Sequence, residues 1–139
     1  MFPTARRAQS CGMSSTVRTT RVFLADDSAA IRLRVAGMLG ARALQVVGEA
    51  ETPQGCIDGI LATHPDVVVL DVQLDGGQGL EVLRAVRGAQ PGIAFVVFSN
   101  NSGLAYRKRY LGAGAARFLD KSNEIEQLAD AVHAACTTH

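Results

Sequence analysis

Three observations predict an α/β fold built on a parallel sheet. Val67-Val68-Val69-Leu70 and Ile93-Ala94-Phe95-Val96-Val97-Phe98 are apolar runs too short for helices and without alternation, as strands buried on both faces are. Segments with apolar residues at helical spacing separate such runs. Each run closes on polar residues, so polar groups of several types collect at one sheet edge. In open α/β sheets the crevice beyond the carboxyl ends of the strands is where ligands bind.

Taken in order, Met1 to Thr20 are rich in Ser, Thr and Arg, lack apolar periodicity and read as a disordered arm. Arg21–Ala25 is the first strand, closed by Asp26-Asp27-Ser28. A helix follows with Ile31, Val35, Met38 and Leu39 on one stripe, and Ser28 or Asp27 can cap its free amides. Leu44–Glu49 reads as the second strand, and Pro53–Thr63 as the second helix, with its proline early. Val67–Leu70 is the third strand and ends at Asp71. Glycines make Gln73 to Gly79 a loop, and Leu80, Leu83 and Val86 mark a third helix stopped by Gly88 and Pro91.

The fourth strand, Ile93–Phe98, runs into Ser99, and a short helix carries Tyr106, Arg107, Lys108, Arg109 and Tyr110 before Gly112 and Gly114 end it. Its basic run reads as a solvated face with the tyrosines partly packed. Ala115–Leu119 is the fifth strand, closed by Asp120-Lys121-Ser122. Ile125, Leu128, Ala129 and Val132 line a last helix with Ser122 as its cap. Alternation of five strands with five helices, joined by right-handed crossovers, gives a parallel sheet covered on both faces. The domain therefore spans 21–136, between the arm 1–20 and a tail 137–139.

Composition agrees with one globular domain. The chain has 139 residues, 47% hydrophobic and 19% charged, enough for a core that holds without staples. A formal net charge of +1 gives no global electrostatic argument for nucleic acid, membrane or acidic partners. Cys11, Cys56 and Cys136 share no close spacing, which indicates neither a disulfide framework nor a zinc site. No apolar run follows Arg6 and Arg7, and no span suits a membrane helix, so the expected location is the cytoplasm.

The strand ends carry the chemistry. Asp26, Asp27 and Asp71 would repel one another in one crevice, and a hard divalent ion with oxygen ligands, Mg²⁺ most naturally, relieves that repulsion. Lys121 supplies a positive charge for a phosphate oxygen and Ser99 a hydrogen bond. Such a set suits in-line phosphoryl transfer to a carboxylate, with Asp71 as the nucleophile because it stands alone on the central strand.

From Arg21 to Ala135 the chain resembles a receiver domain of a two-component response regulator. The resemblance rests on Asp26-Asp27, the segment Pro65 to Asp71, Gly79, Ser99 and Asp120-Lys121-Ser122 after Phe118, with Val47-Gly48-Glu49-Ala50 also familial. It implies the flavodoxin-like doubly wound sheet with strand order 2-1-3-4-5. It implies further that Asp71 accepts a phosphoryl group from a sensor histidine kinase or phosphotransfer protein. Asp26, Asp27, Asp71 and the backbone carbonyl of Gln73 would hold Mg²⁺, and Lys121 would pair with the phosphoryl group. Ser99 would turn toward that group and Phe118 move inward behind it, with output at the fourth helix, fifth strand and fifth helix. By the same resemblance the protein is no ordinary enzyme, but catalyses its own Mg²⁺-dependent phosphorylation and dephosphorylation.

No effector segment follows the fifth helix, so the expected protein is a stand-alone, single-domain regulator. Its output is expected to be protein contact, phosphorelay or a phosphorylation-dependent homodimer, without specific DNA binding. Asn100 stands where the family has a small residue and Asp75 where it often has Pro, changes expected to adjust rates or partner choice. Two other classes compete: a phosphorylation-independent pseudo-receiver, and an aspartate-nucleophile phosphatase of the haloacid dehalogenase type. The latter would carry a second Asp two positions after the nucleophile, where this chain has Gln73.

Overall fold

The computed structural model describes residues 19–101 and 103–137. The expected arm, apart from its last two residues, lies outside them, as do His139 and its neighbour at 138. The elements are β1 (Thr20–Ala25), α1 (Ala29–Gly40), β2 (Leu44–Ala50), α2 (Pro53–Thr63), β3 (Val67–Leu70), β4 (Gln73–Leu74), β5 (Gly77–Gln78), α3 (Gly79–Ala89), β6 (Ala94–Ser99), α4 (Leu104–Gly112), β7 (Arg117–Asp120) and α5 (Leu128–Thr137). A 3₁₀ turn at Ile125–Gln127 leads into α5.

Five strands form one parallel sheet in the order β2-β1-β3-β6-β7. That is the expected 2-1-3-4-5 once the small β4–β5 pair is set aside. Side chains alternate across it: Phe23, Val68, Leu70, Phe95, Val97 and Phe118 face a core shared with α2 and α3. Val22, Leu24, Val67, Val69, Val96 and Phe98 face a second core, which holds residues of α1 and α5. Both faces are covered, which is why the central strands read as unbroken apolar runs.

Several local expectations need correction. Thr20 opens β1 instead of ending the arm, and α5 runs one residue into the expected tail. The glycine-rich loop holds an antiparallel pair, Gln73 opposite Gln78 and Leu74 opposite Gly77. Its turn is Asp75-Gly76, with Gly76 at φ +84, a conformation that glycine adopts without penalty. Gly88 does not stop α3, which continues to Ala89. At the other helix starts Ser28 caps α1 and Thr52 caps α2 ahead of Pro53, as the side-chain oxygens of N-caps do.

Ser122 is not the cap of the last helix. Asp120 Oδ1 instead accepts the amides of Ser122 and Asn123 at 2.7 and 3.1 Å, and the chain passes through the 3₁₀ turn before α5. The tyrosines also differ from one another. Tyr110 is 1% exposed, whereas Tyr106 is 40% exposed.

Candidate functional site

β1, β3, β6 and β7 end at one edge and bring together residues far apart in the chain. Asp71 is joined to β1 by its amide, which donates to Ala25 O at 2.9 Å. Lys121 is placed by its own amide, which donates to Ser99 O at 3.0 Å. Its ammonium then lies 2.7 Å from Asp26 Oδ2 and 2.9 Å from Asp71 Oδ2. Asp26 Oδ1 also accepts the Ser28 amide at 2.9 Å, which turns the chain into α1. Asp26, Asp71 and Ser99 are buried, while Asp27 is exposed.

One carboxylate oxygen from each of Asp26, Asp27 and Asp71 falls within 4.8 Å of the others. Three carboxylates against one ammonium leave two negative charges uncompensated, which fits a divalent cation with oxygen ligands. Burial pushes the Asp71 carboxyl above its ordinary value, and the hydrogen bond and charge of Lys121 offset this only in part. The ammonium has two anions, however. Burial alone would lower it, but the hydrogen bonds to Asp26 and Asp71 prevail and raise it. Lys121 is thus firmly charged, while burial leaves the Asp71 carboxylate only partly compensated.

The loop that leaves Asp71 is tightly cut. The Gln73 amide faces Asp71 Oδ1 at 3.4 Å, and the Gly79 amide donates to Val72 O at 2.7 Å. A Cβ on Gly79 would collide with the carbonyl oxygen of Asp71, so only glycine lets α3 start this close to the acidic residue.

Ser99 Oγ accepts the Asn101 amide at 3.1 Å, and its hydroxyl contributes a hydrogen bond that favours the charged Asp71. Phe118 does not wait at the surface. Its ring is 5% exposed, edge-on to Tyr110 at 6.1 Å, with the Arg107 guanidinium 5.2 Å from its centroid. The expected inward movement therefore starts from a ring that already lies inside.

Two residues were missed as parts of this region. Arg107, read as a solvated face, donates to Phe118 O at 3.1 Å and pairs with Glu124 at 3.1 Å. Arg32, read only as lying off an apolar stripe, donates to Asp26 O at 2.6 Å and to Glu49 Oε1 at 2.7 Å. It ties the acidic turn to β2. The familial Glu49 was the only signal for it.

The model of the response regulator receiver domain matches residues 22–133. The chain belongs to that family. This receiver is 33% identical over 113 residues to the response regulator GacA of Pseudomonas aeruginosa, covering 81% of this chain and 53% of that protein. It is 33% identical to the DNA-binding transcriptional activator DevR/DosR of Mycobacterium tuberculosis, over 81% of this chain and 52% of that one. The receiver thus spans about half the length of these curated relatives. Among solved structures it superposes on a LuxR-family two-component response regulator from Aurantimonas sp. SI85-9A1 with a TM-score of 0.83 and 28% identity, over 88% of each chain. Among the described residues of the receiver, no helix is long and apolar enough to cross a membrane.

Proposed function

We propose that this receiver takes a phosphoryl group on Asp71 from the phosphohistidine of a sensor kinase or phosphotransfer protein. The observation that carries the reading is the Lys121 ammonium held between Asp26 and Asp71, beside a third carboxylate within metal-ligand reach. Asp26, Asp27, Asp71 and the carbonyl of Gln73 would hold Mg²⁺, which when bound neutralises charge on the carboxylates and the incoming phosphoryl oxygens. An Asp71 carboxylate oxygen forms the new bond to phosphorus. The phosphorus–nitrogen bond of the phosphohistidine breaks, and its electron pair returns to the imidazole. Lys121 balances charge on one phosphoryl oxygen, and the Ser99 hydroxyl turns from the Asn101 amide to donate to another. Water attacking the same phosphorus later forms a new phosphorus–oxygen bond as the bond to the Asp71 oxygen breaks, which releases inorganic phosphate and a proton and returns Asp71 to its carboxylate.

Output is read as protein contact, onward phosphoryl transfer or pairing of two copies through α4, β7 and α5, in the cytoplasm and without specific DNA recognition. A pseudo-receiver reading is favoured by one feature, the exposed Asn100 beside Ser99, where a bulkier residue narrows access to Asp71. Labelling with a small phosphodonor and Mg²⁺ tests the main reading. Wild type should incorporate phosphate and Asp71→Asn none; equal labelling, or no Mg²⁺ binding by wild type, rejects it. Profiling against purified sensor kinases would then name the donor, and a gel shift showing sequence-specific DNA binding would reject the output reading.

A further inference from the structure

Tyr110 is the buried residue of α4, whose Leu104 and Leu111 are 68% and 44% exposed. Its hydroxyl leaves α4 and reaches a different part of the molecule. Oη accepts the Leu80 amide at 3.0 Å and lies 3.4 Å from Val72 O. The first amides of a helix have no partner within it. In α3 the Gly79 amide uses Val72 O, and Glu81 reaches back to the Gln78 amide at 2.9 Å. Leu80, itself buried, is left to Tyr110.

Val72 follows Asp71 directly, and Gly79 abuts the Asp71 carbonyl. The two backbone sites that meet the Tyr110 hydroxyl are thus the two ends of the loop that leaves Asp71. If α4 lifts away, a buried N–H at the start of α3 loses its acceptor. If the loop changes shape, α4 loses its polar anchor.

We propose that Tyr110 is a positioning residue that couples α4 to the acceptor loop, so that occupancy at Asp71 loosens or tightens α4 through the Leu80 amide. This rests on the reading of Asp71 as the phosphoacceptor. Linkage requires the coupling to run both ways: a docked α4 also holds the loop in shape for Asp71.

The test is amide hydrogen exchange on the full chain for wild type, Tyr110→Phe and Tyr106→Phe, each with and without beryllofluoride and Mg²⁺. Tyr110→Phe keeps the ring against Phe118 and removes only the hydroxyl. Exchange at Leu80 and across Leu104–Gly112 should rise about tenfold, the effect of one lost hydrogen bond, while β3 and β6 stay unchanged. The beryllofluoride-dependent change in α4 should fall by at least half, and Tyr106→Phe should match wild type throughout. Unchanged exchange at Leu80 and α4 overturns the proposal, as does an equal rise over the whole sheet. Should Tyr110→Phe not fold, wild type still decides: Leu80 and the α4 amides must share one opening free energy, and independent exchange rejects the coupling. If wild type ignores beryllofluoride, the phosphoacceptor reading fails, while the metal-free comparison still settles the link between α4 and the loop.

Discussion

Lys121 Nζ lies 2.9 Å from Asp71 Oδ2 across fifty positions of sequence, with both side chains 8% exposed. At that burial the ammonium is the main compensation for the Asp26 and Asp71 charges. Lys121→Gln should cost roughly 3 kcal/mol at neutral pH, the usual size for stripping one partner from a buried ion pair. Urea unfolding should detect the loss, and Mg²⁺ should restore part of it. Phosphoryl incorporation should fall by about a hundredfold or more, because charge on the transferring group goes unbalanced.

Asp71→Asn should be more stable than wild type at neutral pH in the absence of divalent metal. Its folded pKa is raised from 3.8 by burial, so the charged form is disfavoured in the folded state. That penalty is absent below the unfolded value, grows as pH rises through the folded one, and is complete above it. Denaturation midpoints of the two proteins should converge in acid and separate toward neutrality. A constant gap would contradict the assignment.

Gly79→Ala places a methyl group against the Asp71 carbonyl oxygen, which as backbone cannot swing aside. About 2 kcal/mol of destabilisation is expected from the overpacking, with a shifted Asp71 and roughly tenfold slower labelling by a small phosphodonor. Normal labelling rates would show that the loop adapts.

Glu124 has the opposite linkage from Asp71. The Asp120 amide and then Arg107 hold its carboxyl below 4.5. Its contribution is therefore present above the unfolded value and lost as pH falls through the folded one. Acid titration of wild type and Glu124→Gln should show a stability difference that vanishes in that window. High salt should shrink it as well, since the Arg107–Glu124 pair is partly exposed.

The alternation of strands and helices and the acidic site were legible because strong local signals report them, while the strand order came from the family resemblance. Short β-branched runs such as Val67–Leu70 read as buried strands, and Asp26, Asp71, Ser99 and Lys121 at the strand ends come together. What escaped depends on long-range contacts. Nothing near Tyr110 tells that its hydroxyl meets an amide thirty residues away, or that Arg107 alone of its basic run turns inward. The β4–β5 turn was missed although Asp75-Gly76 is a recognised turn pair, since two-residue strands leave no periodicity. Ser122 looked like a cap, but Asp120, two residues earlier, took the free amides.

Asp26 leaves the first strand of the sheet and Lys121 the last, and the two meet 2.7 Å apart. During synthesis every acidic member of the cluster emerges long before its counter-ion does. A nascent or clipped chain lacking the final edge would offer crowded anions without the ammonium that balances them. The cluster's internal charge balance is thereby completed only when the end of the sheet is in place.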